Sequence, residues 1–110
     1  MDEQALLGLM YGAAGMIGST LNFMPGAYRE IIGAYRAGDC KTAMAVQRRA
    51  NAVTSLLISL GFAGAFRATM ALLGFDCGRP RLPNLPLPEG GREELRCALA
   101  ALDFDALAAL

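Results

Sequence analysis

Histidine is absent from the 110 residues, and lysine occurs once, at Lys41. No imidazole is therefore available as a general base or a metal ligand. The three cysteines, Cys40, Cys77 and Cys97, are odd in number and widely spaced, with no Cys-x-x-Cys pair. That pattern excludes a disulfide framework and a zinc site, and it reads as reduced thiols in a cytoplasmic protein. Net charge is missing as well: ten acidic and ten basic residues balance. No broad field then favours nucleic acid or an anionic membrane. The start, Met1-Asp2-Glu3-Gln4, is acidic where a secretory signal would be basic.

Residues 4–28 carry no charge, yet Gly8, Gly12, Gly15, Gly18 and Gly26 interrupt them, as do Gln4, Ser19, Thr20 and Asn22. The Gly8-x-x-x-Gly12 spacing occurs in transmembrane helix pairs, but no basic cluster flanks this segment, so a membrane span is not expected. What the chain has in excess is apolar surface. Hydrophobic residues make up 55%, above the share usual in a soluble domain. One domain at most fits this length, and so small a domain buries a modest fraction of its surface. The excess calls for a partner, an oligomer or a missing remainder.

Glycine and proline punctuate the pattern. Residues 3–11 read as a buried helix with acids in its first turn and Gly12 as its cap. Residues 14–19 are a short apolar run that stops at Gly18-Ser19-Thr20, read as a buried strand delivering a hydroxyl and an open backbone to a ligand. Pro25 suits the first turn of a helix on which Tyr28, Ile31, Ile32 and Tyr35 share a face. Gly38 ends that helix and Asp39 caps the next. Ala43, Val46, Ala50, Val53, Leu57 and Leu60 form its stripe, widened by Met44 and Leu56, and Gly61 stops it. A further helix spans about 63–73. The connector 78–91 holds Pro80, Pro83, Pro86 and Pro88 and is neither helix nor central strand. A last helix starts near Gly91 or Arg92, and the tail from Asp105 is expected to fray.

The lone strand is the difficulty. Unpaired backbone groups cost about 1–3 kcal/mol each when buried, and a small domain has only about 5–15 kcal/mol of net stability. The strand should therefore belong to a sheet whose other strands lie outside this chain. The expected fold class is mostly α as an isolated chain, a piece of something larger.

At this point a resemblance becomes specific. Asp2-Glu3, Gly12-Ala-x-Gly15-x-Ile-Gly-Ser-Thr-x-Asn22, Gly38-Asp39, the Ala-x-x-x-Gln-x-x-x-Asn run from Ala43 to Asn51, and Gly78-x-x-Arg81-x-Pro83 resemble the end of the N-acetylneuraminate lyase family. That family shares a superfamily with dihydrodipicolinate synthase. The resemblance covers residues 2 to about 104, and the Gly18-Ser19-Thr20 form of the strand end favours the sialic acid lyases. It implies the C-terminal fragment of a (β/α)8 TIM barrel: the last strand, its helices and three extra C-terminal helices. Residues 1–37 would end the barrel, 38–104 would form the helical extension and 105–110 a tail, all within one partial domain.

The activity implied is reversible cleavage of N-acetylneuraminate to N-acetylmannosamine and pyruvate through a Schiff-base lysine, with a tyrosine assisting proton transfer and no cofactor. Both groups lie on earlier strands of the family barrel. Lys41 sits in a polar, solvent-facing stretch, whereas a Schiff-base lysine must be desolvated. Tyr11, Tyr28 and Tyr35 lie at core or interface spacing, so no catalytic residue is expected here.

The resemblance carries substrate contacts over at Asp2, Glu3 and Ser19, on the sugar-tail side of the pocket. Read without it, Asp2 and Glu3 favour a helix N-terminus and Ser19 caps one. Two positions depart from the family: Met1 directly precedes Asp2, where a glycine is expected two residues before the acid, and Leu21 replaces a common aromatic. The chain is thus expected to begin inside an element.

Expected partners are the small-molecule substrates sialic acid and pyruvate, with no nucleic acid and no membrane, and a homo-oligomer of the full-length parent. Alternatives are a related pyruvate-dependent aldolase or dihydrodipicolinate synthase, and a non-catalytic helical module dimerising through the 43–60 stripe or docking on a full-length homologue.

Overall fold

A computed structural model describes residues 1–109. Six α-helices are joined by two short 3-10 turns: α1 (Ala5–Met10), α2 (Pro25–Arg36), α3 (Cys40–Ser59), α4 (Phe62–Leu72), α5 (Gly91–Ala101) and α6 (Phe104–Ala108). The turns are Asp2–Gln4, leading into α1, and Thr20–Asn22, leading towards α2.

The expected boundaries have visible causes. Pro25 occupies the first turn of α2, where its missing N–H costs nothing. Asp39 caps α3 by accepting from the Thr42 backbone N–H at 3.0 Å and the Thr42 hydroxyl at 2.6 Å. Those bonds hold the Asp39 carboxyl below its ordinary range. Gly38 and Gly61, at φ of 80° and 85°, make the reversals on either side of α3.

The core lies where α2 runs along α3 and where α1, α4 and α6 close over the pair. Ala43, Val46, Ala50, Val53 and Leu57 of α3 are buried against Met24, Ala27, Tyr28 and Ile31 of the α2 region. Phe23 sits between Phe66 and Phe104, with ring centroids 5.6 and 5.8 Å away. Tilted and edge-on aromatic pairs of this kind add to the area they bury.

Three expectations need correction. Residues 14–19 form no strand; among the described residues there is none, and this segment runs irregularly with Ile17 fully exposed. A strand requires a neighbour to take its ladder bonds, and these 109 residues supply no such edge. Its largely exposed backbone is open to solvent, which removes the penalty that a buried lone strand would carry. The tail does not fray: Phe104 and Leu107 are buried and draw residues 104–108 into α6. Leu110 lies outside the described residues. Finally, the α3 stripe is consumed by packing within the chain, so it offers no open face for dimerisation, and Met44 falls outside it, exposed.

Among the described residues no single helix is long and apolar enough to cross a membrane. α3 and α4 pass such a test only together, bent by 119°. The same residues hold no group of three or more metal-ligating side chains.

Candidate functional site

Asp2 opens the first 3-10 turn, 18 residues before the segment it holds. Its Oδ2 accepts from the Thr20 backbone N–H at 2.8 Å and from the Thr20 hydroxyl at 2.7 Å. Thr20 Oγ1 also lies 2.6 Å from the Tyr28 hydroxyl. Thr20 has one hydroxyl proton and gives it to the carboxylate, so Tyr28 is the donor in the second bond. The result is a relay from Tyr28 on α2 through Thr20 to Asp2. Burial pushes the Tyr28 phenol above its ordinary range, and the charges of Asp2 and Glu3 push the same way.

Gly18 faces the same carboxylate. A Cβ there would lie 2.0 Å from Asp2 Oδ1 and 2.4 Å from Cγ, far inside contact distance. Glycine at 18 is thus what lets the Gly18-Ser19-Thr20 corner close on Asp2.

The opposite side of the turn is gripped by α3. Gln47 is buried; its Oε1 accepts from the Leu6 N–H at 2.9 Å, and its Nε2 donates to the Asp2 carbonyl at 3.2 Å and to Asn51 Oδ1 at 2.8 Å. Asn51, one turn later, donates to the Glu3 carbonyl at 3.2 Å. Two amides at i and i+4 therefore satisfy backbone groups that the short turn cannot pair itself.

The site residues expected from sequence fall into two kinds. Asp2 is committed to Thr20 and holds the corner. Glu3 is half-buried and Ser19 exposed, and neither side chain makes a hydrogen bond within the described residues. Ser19 does not cap the 3-10 turn with its hydroxyl; its carbonyl instead accepts from Asn22 Nδ2 at 2.8 Å. Lys41 is exposed on the first turn of α3. Tyr11 is exposed, Tyr35 half-buried and Tyr28 buried in the relay. Thr20, Tyr28, Gln47 and Asn51 were given no site role by sequence reasoning. The signal for Gln47 was present, a polar side chain on the buried face of an apolar stripe.

Residues 1–102 match the model of the dihydrodipicolinate synthetase family. The chain belongs to the dihydrodipicolinate synthetase family. Within that family it is similar to the 4-hydroxy-tetrahydrodipicolinate synthase of Acidiphilium cryptum, 36% identical over 101 residues, covering 92% of this chain and 35% of that protein. It is also similar to the N-acetylneuraminate lyase of Mus musculus, 32% identical over 106 residues, covering 94% and 33%. Among solved structures, the Proteus mirabilis N-acetylneuraminate lyase superposes with a TM-score of 0.87 at 30% identity, covering 94% of this chain and 35% of that one. The chain spans about a third of the length of the relatives it matches. Its fold is that of the C-terminal part of the family's TIM barrel, helical as an isolated chain. The family assignment thus reaches lyases and synthases of the aldolase kind alike.

Proposed function

We propose that this chain forms the sugar-tail side of the pocket in an N-acetylneuraminate lyase-like class I aldolase, which cleaves N-acetylneuraminate reversibly to N-acetylmannosamine and pyruvate. The observation that carries the reading is the corner at 18–20, locked onto Asp2 with the Glu3 carboxylate and the Ser19 hydroxyl left uncommitted. A carboxylate and a hydroxyl suit the vicinal hydroxyls of a sugar chain, because each can accept from one. In this reading Glu3 and Ser19 touch substrate, and Asp2 acts chiefly by positioning Ser19. The nucleophilic amine comes from outside these residues, since Lys41 is exposed on the first turn of α3 and no apolar pocket surrounds it. Assembly as a homo-oligomer and a cytoplasmic location belong to the same proposal.

A second reading has its own support. The synthase relative is the more identical of the two by sequence, 36% against 32%. It assigns the chain to a dihydrodipicolinate synthase or another pyruvate-dependent aldolase.

The test uses both the 110-residue chain and the longer protein that contains it. The chain alone should form no borohydride-trappable adduct with pyruvate, and trapping on Lys41 would overturn the assignment of roles. In the longer protein, release of pyruvate from N-acetylneuraminate is expected, with Ser19→Ala raising KM and leaving kcat nearly unchanged. Condensation of pyruvate with aspartate semialdehyde, without cleavage of N-acetylneuraminate, would establish the second reading.

A further inference from the structure

A cleft of the described residues lies away from the corner at 18–20 and shares no residue with it. It encloses about 350 Å³ between α4, the connector and the first turn of α5. That volume falls in the range of small-molecule sites. Its charged lining is lopsided: Arg67, Arg79 and Arg92 face a single carboxylate, Asp76. The whole chain is neutral, so this local excess of two positive charges is a property of the cleft.

Most of that charge is unspent. Arg67 donates to the Cys77 carbonyl, which fixes it on the cleft wall. Arg79 and Arg92 make no hydrogen bond or ion pair within the described residues. Of the nearby acids, Glu93 is already bound to Arg96, while Glu89 and Glu94 are exposed and do not line the cleft. Asp76 Oδ1 accepts from the Gly78 N–H at 2.8 Å, leaving its other oxygen open. The cleft wall is also built tightly: a Cβ at Gly64 would meet the Leu85 carbonyl at 2.7 Å, so the proline-rich connector lies directly on α4. The α5 helix, 11 residues long, begins at this wall, and its positive end adds to the field there.

We propose that this cleft binds the phosphate monoester of a small polyol. A phosphate dianion matches the excess of two charges, and planar guanidinium forks pair with its oxygens in a geometry that a lysine ammonium does not reproduce. Asp76 decides the rest of the ligand. A dicarboxylate of similar length would set its second charge against Asp76, whereas a hydroxyl donates to it. The cleft is too small and the chain too evenly charged for a nucleic acid track.

Titration of the isotope-labelled 110-residue chain with glycerol 3-phosphate, followed by amide and arginine side-chain NMR, tests this. Saturable shifts confined to residues 64–92 are expected. Succinate should bind about tenfold more weakly, and glycerol should not bind. The exposed pair Arg79→Gln with Arg92→Gln should weaken binding about tenfold without altering the melting curve. Asp76→Asn should tighten inorganic phosphate and erase the preference for glycerol 3-phosphate over it. A merely structural carboxylate would do neither. Shifts that fail to saturate, that succinate reproduces equally, or that survive the double substitution would overturn the proposal.

Discussion

A side chain at position 18 and the Asp2 carboxylate cannot occupy the same space, and this one exclusion governs the corner. With alanine at 18, Asp2 must swing away from a Cβ 2.0 Å from its Oδ1 and release Thr20. Hydrogen bonds to a charged group contribute about 1.5–3 kcal/mol, so Gly18→Ala should lower stability by about 2 kcal/mol in urea denaturation. In an Asp2→Ala background the clash has no partner, and the same change should cost less than about 0.5 kcal/mol. Full additivity of the two substitutions would refute the coupling. Asp2 and Gly18 were both legible in the sequence as parts of a motif. Their mutual contact was not, because the 15 residues of intervening chain carry no sign of which atoms meet.

At the level of the helix, α3 does two jobs with one face. Its apolar stripe buries α2, and within that stripe Gln47 reaches the backbone of Leu6 and Asp2. Gln47→Ala would leave a buried N–H and a carbonyl unpaired, at about 1–3 kcal/mol. The Leu6 amide should then exchange with solvent faster by about tenfold or more, since each 1.4 kcal/mol is a factor of ten. Unchanged protection at Leu6 would show that the turn holds itself. Asn51→Ala frees the half-exposed Glu3 carbonyl and takes one acceptor from Gln47 Nε2, which keeps the Asp2 carbonyl, so it should matter less. The helix limits were readable from Pro25, Gly38, Asp39 and Gly61, each acting through local backbone chemistry. The α6 helix was not: Phe104 and Leu107 are held by burial against distant residues, which a sequence window does not contain.

Across the molecule the shape is elongated rather than spherical. The radius of gyration is 14.4 Å, and the extents are 45 × 27 × 22 Å. A compact domain of this length has a radius of gyration of about 13 Å. Leu7, Met10, Tyr11 and Ile17 stand exposed around α1 and the segment after it, the apolar excess foreseen from composition. Tyr28, by contrast, sits in the interior, and its phenol titrates above its ordinary value because of burial first and the neighbouring carboxylates next. A group whose pKa is raised by folding stabilises the fold fully below its unfolded value. That contribution disappears as pH climbs through the folded one. The urea midpoint should therefore hold steady up to about pH 10 and fall above it. Tyr28→Phe should start lower, having lost the bond to Thr20, yet show a shallower alkaline decline. An equally steep decline in the variant would assign the alkaline loss to other groups.

Helix starts and stops, the α2–α3 stripe and the family motif were all set by residue type at short range: a proline ring, a carboxylate cap, apolar side chains spaced three and four apart. Those interactions span a few residues and act in any context. Whether residues 14–19 became a strand, whether the tail docked, and which carboxylate stayed free for a ligand depended on partners 16 or more positions away. Hydrogen-bond ladders and buried contacts exist only once the chain has brought their two halves together.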